Sequence, residues 1–261
     1  TMLIALLDSH EVSPVDYSSV KIAISGGSMV APELVRRVKN TVDCSFSTVY
    51  GQTETSPVLT QTFPDDSEED ICNTVGQPLP NKDIAILDPQ TSEVLPLDTI
   101  GEICSRGYCN MLRYNDNPEA TKATIGEDGW LHTGDLGSMD ERGYVKITGR
   151  LKEMIIRGGE NLFPAEIENT LLEHPAVAEV AVVGIPDPKW GEIVGCFVRP
   201  VDGTEPKIAE LIAHCRQYLS PVKTPTKWMF VEEWPLTGSG KIQKFNLLEN
   251  FEQGAYQEET A

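Results

Sequence analysis

The sequence has no apolar stretch near the ~18–20 residues that a membrane-spanning helix needs. Nor does a basic segment lead into an apolar one, as at the head of a secretory signal. It has no N-x-[ST] sequon, which fits a chain that is not secreted. Basic residues are scarce: 21 Lys+Arg against 40 Asp+Glu leave a formal net charge of −19. That balance argues against nucleic acid or an anionic membrane as partner, since both want a basic surface. An anionic ligand is still possible where a few cations and backbone N–H groups gather locally.

The six cysteines contain no CxxC pair and read as reduced, mostly buried small residues of a cytosol-like compartment. The four histidines lie far apart without metal-ligand spacing, so no structural metal cage is expected. No GxSxG elbow or Cys–His pairing supports a hydrolase triad. The segment 236–244, LTGSGKIQK, invites a phosphate-loop reading and fails it. The pattern GxxxxGK[ST] needs Gly at 235 and Ser or Thr at 242, where the chain has Pro235 and Ile242. What remains is Lys241 on a Gly-Ser-Gly tip, ordinarily a solvated loop lysine.

What is present is a chain of 261 residues, 40% hydrophobic and 23% charged, with room for one large domain or two modest ones. TMLIALLDSH reads as the late part of an amphipathic helix with no cap before it. VKIAI (20–24), the SGGS turn, PELVRRVKN (32–40) and CSFSTVY (44–50) follow as strand, turn, helix, strand. That is the pattern of a parallel α/β layer, with Gly-containing turns at the strand ends where ligands sit. From residue 57, proline and glycine punctuate short β-like runs: DIAILD (83–88), GEICSRG (101–107) and YVKITG (144–149). After residue 150 come PAEIENTLLEH and PKIAELIAHCRQYL as helices, AEVAVVGI, EIVGCFVRP and KWMFVEE as strands, and a last helix near KFNLLENF. The expected organisation is an α/β layer (about 1–56), a β-rich subdomain (about 57–150) and a compact α+β domain (151–261).

Three segments carry candidate chemistry. YGQTETSP (50–57) gathers an aromatic ring, hydroxyls and a carboxylate, able to stack on a base, hold phosphate and hold Mg²⁺; a polar turn is the plain alternative. GWLHTGDLG (129–137) sets Asp135 between glycines, where a carboxylate can accept ribose hydroxyls or serve as an Asx-type turn residue. GRLKEMIIRGGEN (149–161) is too short for a buried helix and too polar for a central strand; from its residues alone it is either a solvated connector or a segment whose charges have a mechanical purpose.

In this order and spacing SGGS, YGQTE, GEICSRG, GWLHTGD, GRLKEMIIRGGENLFPAEIE and PLTGSGKIQK resemble the adenylate-forming (AMP-binding) superfamily. Its members include acyl- and aryl-CoA synthetases, luciferases and peptide-synthetase adenylation domains. Within it, MIIRGGENLFPAEIE and the text around YGQTETSP look most like the fatty acyl-CoA synthetases grouped around acyl-CoA synthetase family member 2.

The resemblance implies an acid–CoA ligase using ATP, Mg²⁺ and coenzyme A, in the cytosol or, for a eukaryotic member, the mitochondrial matrix. It implies that Ser25, Gly26, Gly27 and Tyr50 with Gly51 line the adenine and acyl pockets. Thr53 would touch phosphate, and Glu54 would help bind Mg²⁺. Asp135 and Arg150 would hold the ribose, and Lys241 would act in adenylation. Lys152 would be the hinge, and Arg157 with Gly158 and Gly159 would face the thiolation site. The family's TSGTTG-like phosphate loop is absent. The expectation is therefore the C-terminal portion of a longer enzyme, inactive alone.

Two other readings stay open. A peptide-synthetase adenylation domain predicts carrier-protein sequence after the lysine loop, and the chain ends about 20 residues past Lys241. A non-catalytic binding module predicts loss of Lys241, Asp135 or Glu54, and all three are present.

Overall fold

The computed structural model describes residues 2–27, 30, 32–238 and 240–259. The chain divides into two compact units, Thr1–Ile147 and Thr148–Ala261. Among the described residues no helix is long and apolar enough to cross a membrane.

The first unit opens with α1 (Met2–Val12), a helix as expected but not a two-sided one. Its apolar residues are consecutive and so wrap around the axis. Only Leu7 is buried, while Met2, Ile4, Leu6 and Val12 stay exposed. Arg37 ties α1 down through Asp8 (2.6 Å) and Glu11 (2.7 Å). After β1 (Ile22–Gly26) comes α2 (Pro32–Val42), which buries Val35, Val38 and Val42 at helical spacing. It is followed by β2 (Ser45–Gly51), paired parallel with β1 from Ile22↔Ser45 to Gly26↔Val49.

The sheet continues through β3 (Val58–Gln61) and, past α3 (Glu68–Asn73), β4 (Gln77–Pro78), in the order β1-β2-β3-β4. The parallel layer therefore acquires two antiparallel strands beyond the change of texture at residue 57. Ser67 caps α3 by accepting from the Asp70 N–H at 3.0 Å. Leu7, Val35, Val38, Phe46 and Ile71 form the core of this layer.

A second sheet, ordered β5-β6-β7-β8, is built from β5 (Lys82–Leu87), β6 (Gly101–Gly107), and, after α4 (Pro118–Thr124), β7 (Leu131–Met139) and β8 (Val145–Arg150). GWLHTGDLG, in which Asp135 has an Asx-type turn residue as its plain alternative, is for most of its length a strand. Leu131 and Leu136 anchor it in the core, and its irregularity is a bulge rather than a loop. Ile86, Ile103 and Val145 of this sheet share a core with Tyr50 and Leu59 of the first.

In the second unit a 3₁₀ turn, Leu151–Glu153, leads to β9 (Ile155–Arg157) and β10 (Glu160–Leu162). After α5 (Pro164–Leu172) come β11 (Val177–Asp187), β12 (Gly191–Pro200), α6 (Ile208–Tyr218), β13 (Lys227–Phe230) and α7 (Lys244–Glu252). The sheet order is β10-β9-β12-β11, with β13 also on β12. The segment judged too polar for a central strand thus supplies β9, which has a neighbour on each side. Three residues suffice because alternation buries Ile155 and leaves Ile156 exposed.

β11 and β12 are nearly continuous apolar runs because both faces of the sheet are covered. Val180, Val182, Val194 and Val198 pack with Ile167, Leu171 and Leu211 of α5 and α6. Ala181, Val183, Ile185 and Phe197 pack with Leu247 of α7.

Candidate active site

In the first unit the expected nucleotide residues collect at the carboxyl ends of the parallel strands. Ser25 and Gly26 close β1, opposite Thr48 and Val49 of β2. A Cβ on Gly26 would meet the Val49 carbonyl oxygen at 2.3 Å, so the backbones approach too closely there for any side chain. Gly27 follows, exposed; Ser28 of the SGGS turn lies outside the described residues. Tyr50 and Gly51 close β2, and a Cβ on Gly51 would fall 1.7 Å from the Pro57 carbonyl oxygen. Thr53 and Glu54 then sit in a 3₁₀ turn, Thr53–Thr55. Its conformation is held by the Thr55 hydroxyl, which accepts from the Gln52 N–H at 3.1 Å.

The buried Tyr50 hydroxyl donates to Asp135 Oδ2 at 2.9 Å, joining residues 85 apart in the chain. Asp135 reaches that position through the bulge in β7. Cys104 of β6 pairs with His132, but Glu102, two residues earlier, pairs with Leu136, four residues later. Thr133, Gly134 and Asp135 therefore stand opposite the single residue Ile103, two more than the ladder needs. Their fold is fixed by β6: the Thr133 hydroxyl donates to the Ile103 carbonyl (2.6 Å) and the Gly134 N–H to Glu102 Oε1 (2.9 Å). The Glu102 side chain is buried and also meets His132 Nδ1 at 2.7 Å. Burial, and after it the Glu102 carboxylate, push the neighbouring Cys104 thiol's pKa up.

Gly134 has φ +73 and open space where a Cβ would stand. Gly134→Ala is therefore expected to destabilise the protein by about 1–2 kcal/mol through backbone conformation alone, read as a shift of the urea midpoint. No shift would mean that the bulge relaxes.

Glu54 accepts a hydrogen bond from the Tyr114 hydroxyl, Oη to Oε1 2.8 Å. Burial, then that carboxylate, raise the Tyr114 pKa, so the phenol stays protonated and donating. A carboxylate oriented by a phenol on one oxygen suits Mg²⁺, which takes one or two carboxylates and otherwise water and phosphate oxygens.

In the second unit Lys152 is exposed in the turn after β8, and Arg150, also exposed, ends that strand. Arg157 ends β9 and donates to the Val222 carbonyl. Gly158 (φ +60) and Gly159 (φ +88) turn the chain into β10. Lys241 lies on a small hairpin closed by a Leu236–Ile242 bridge. The Thr237 N–H donates to the Lys241 carbonyl (2.8 Å), and the Lys241 N–H to the Thr237 hydroxyl (3.0 Å). Ser239 at its tip lies outside the described residues.

Four features escape sequence reasoning: Tyr114 behind Glu54, Glu102 under Gly134, Trp190 and Lys244. Trp190 is half-exposed, with Lys189 Nζ 4.8 Å and the Arg157 guanidinium 5.9 Å from its ring centroid, and its carbonyl accepts from the Gly158 N–H at 2.7 Å. Lys244 bonds Glu153 (2.7 Å) and Glu168 (2.8 Å). A signal existed for Glu102, inside GEICSRG; the others depend on register and on folding across the chain.

The chain belongs to the adenylate-forming (AMP-binding) enzyme family. Residues 1–115 match the AMP-binding enzyme family and residues 166–241 the AMP-binding enzyme C-terminal domain. The chain is 41% identical over 254 residues to the mitochondrial medium-chain acyl-CoA ligase ACSF2 of Rattus norvegicus, covering 97% of this chain and 41% of that protein. It is 43% identical over 250 residues to the putative acyl-CoA synthetase YngI of Bacillus subtilis (strain 168), covering 95% and 46%. Among solved structures, the o-succinylbenzoate CoA synthetase MenE of Bacillus subtilis, in complex with its acyl-adenylate intermediate OSB-AMP, matches with TM-score 0.83 and 31% identity. That match covers 94% of this chain and 49% of MenE. The chain thus spans less than half the length of these relatives.

Proposed function

We propose that the protein carrying this chain is an ATP-dependent acid–CoA ligase acting on fatty acids. It converts acid and ATP to acyl-adenylate and pyrophosphate, then acyl-adenylate and CoA to acyl-CoA and AMP. The observation that carries this reading is the buried Tyr50–Asp135 hydrogen bond at the strand ends. It holds a phenol ring where adenine can stack and a carboxylate where ribose hydroxyls can donate. The kinship with a medium-chain acyl-CoA ligase supports the fatty acid as substrate.

Each residue has a task in this scheme. Tyr50 with the Ser25-Gly26-Gly27 turn and Gly51 forms the wall for adenine and acyl group, and Thr53 donates to phosphate. Asp135 and Arg150 hold the ribose. Glu54, oriented by Tyr114, is the carboxylate for Mg²⁺, and a bound Mg²⁺ would neutralise the departing pyrophosphate. Lys241 stabilises charge on the carboxylate and α-phosphate oxygens as they approach.

The second unit (151–261 as a functional domain) is mobile in this reading, with Lys152 as its pivot. It presents Lys241 for adenylation and the face of Arg157, Gly158 and Gly159 for thioester formation. Trp190 belongs to that second face. An exposed indole flanked by Arg157 and Lys189 suits a nucleotide whose base stacks and whose phosphates need cations.

The test is ATP–pyrophosphate exchange by the whole protein against fatty acids of increasing length, aryl acids and amino acids. Exchange is expected with medium-chain fatty acids. Exchange with amino acids alone would favour the peptide-synthetase reading, and none with any acid would remove the ligase reading.

A further inference from the structure

We infer that Glu102, Cys104 and His132 form a site for a borderline divalent transition-metal ion, with zinc as the natural occupant and cobalt as its spectroscopic substitute. The histidines show no ligand spacing in sequence, and the site arises from register. Glu102 and Cys104 are two apart on β6 and so share one face of the strand. His132 is the cross-strand partner of Cys104 on β7. One ligand atom from each of the three residues lies within 4.8 Å of the others.

The distances suit coordination. Cys104 Sγ is 3.5 Å from His132 Nδ1, the ligand-to-ligand edge of a tetrahedron built from zinc–sulfur and zinc–nitrogen bonds of about 2.3 and 2.0 Å. His132 Nδ1 is 2.7 Å from Glu102 Oε2, so this pair has only to open to about 3.3 Å to admit a zinc ion on the same bond lengths. Sulfur, imidazole nitrogen and carboxylate oxygen together are a zinc or cobalt donor set and a poor one for magnesium or calcium. Glu102 and Cys104 are buried, whereas the His132 side chain is 22% exposed. Solvent therefore reaches the site on the histidine side, leaving a fourth position for water.

The second carboxylate oxygen explains why occupation is compatible with the fold. Glu102 Oε1 already accepts from the Gly134 N–H. A metal on Oε2 leaves that bond intact and clamps the base of the bulge that carries Asp135. On binding, the Cys104 thiol loses its proton to solvent and the thiolate ligates the ion. The imidazole exchanges its Nδ1 proton for one on Nε2, so one proton is released per metal and no electron is transferred. The site needs neither acid nor ATP nor CoA, so it stands or falls independently of the ligase reading.

The experiment is titration of the full chain with Co²⁺ alone, followed by absorption. Expected is a 1:1 saturable spectrum combining thiolate-to-cobalt charge transfer with the intense visible bands of a tetrahedral ion, displaced by Zn²⁺. His132→Gln, at a part-exposed position that keeps the strand, should weaken binding at least tenfold. Cys104→Ser should remove the charge-transfer band, and Cys215→Ser, in the core of the second unit, should change nothing. If Cys104→Ser fails to fold, the wild-type thiolate band together with its loss in His132→Gln decides the matter. Absence of a thiolate band in the wild type, or a spectrum unaltered in His132→Gln, would overturn the site and leave a hydrogen-bonded strand pair.

Discussion

Lys241→Ala in the whole protein is expected to lower adenylate formation about a thousandfold while thioester formation from supplied acyl-adenylate is largely retained. The magnitude follows from charge. One ammonium about 4 Å from an oxyanion contributes about 4 kcal/mol at an effective dielectric near 20, which is on the order of a thousandfold in rate. The substitution is a clean one. Lys241 is exposed, and the hydrogen bonds that hold its hairpin run through its backbone to Thr237. Alanine keeps those bonds and removes only the ammonium, so neither fold nor hairpin should change.

The asymmetry between the two half-reactions is the informative part. In adenylation two anions, the acid and the α-phosphate, come together and need a cation between them. In thioester formation the thiol of CoA attacks the acyl carbon and gives up its proton to solvent, while AMP leaves with the electron pair of the broken acyl C–O bond; no carboxylate anion has to be brought up to a phosphate. The first is measured by ATP–pyrophosphate exchange and the second by acyl-CoA release from synthetic acyl-adenylate. Equal loss in both would contradict the assigned role and point to a residue that serves the structure of the second unit.

Local pattern made much of this fold legible and left the site half-read. GEICSRG is a strand over Gly101–Gly107, as its composition predicts, and Val35, Val38 and Val42 face inward on α2 as helical spacing requires. Both signals are local, since period and apolar content need no knowledge of distant residues. What failed depended on pairing. GWLHTGDLG leaves a turn open because Asp135, between glycines, can serve as an Asx-type turn residue. Only hydrogen bonds from Thr133 and Gly134 to β6 make it a bulged strand.

β9 was misjudged for the same reason. A three-residue strand is credible only when two neighbours supply its main-chain partners. The proposed site residues are contiguous words in the sequence, such as YGQTE. The bonds that give them geometry, Tyr50 to Asp135 and Tyr114 to Glu54, span 85 and 60 residues. Spacing along the chain carries no information about such pairs, and this also hid the Glu102–Cys104–His132 cluster.

Lys244→Met is expected to destabilise the protein by about 2–3 kcal/mol at neutral pH. Lys244 begins α7 and bonds Glu153, in the turn that holds Lys152, and Glu168 of α5. Glu168 in turn accepts from the Val182 N–H of β11 at 2.7 Å. Methionine keeps the stem's packing but leaves two carboxylates facing each other with no cation. Removing one partner of a buried pair costs about 3–5 kcal/mol. The figure is lowered here because the Glu153 side chain is 36% exposed and solvent screens it.

The pH dependence gives the sign. Burial works to lower the Lys244 pKa, but Glu168 and Glu153 outweigh it, and the net shift is upward. A raised folded-state pKa contributes stability that is complete below the unfolded lysine value, about 10.4, and is lost as pH rises through the folded value. The gap between wild type and Lys244→Met, measured by urea unfolding, should therefore hold steady from neutral pH to about 9–10 and narrow above it. A gap that stays constant into strong alkali would show that packing, not charge, secures α7. Because Lys241 lies three residues before this ion cluster and Lys152 one residue before Glu153, the variant should also loosen both. Its adenylation rate should fall further than its stability alone predicts, whereas a rate unchanged at full folding would separate the cluster from the chemistry.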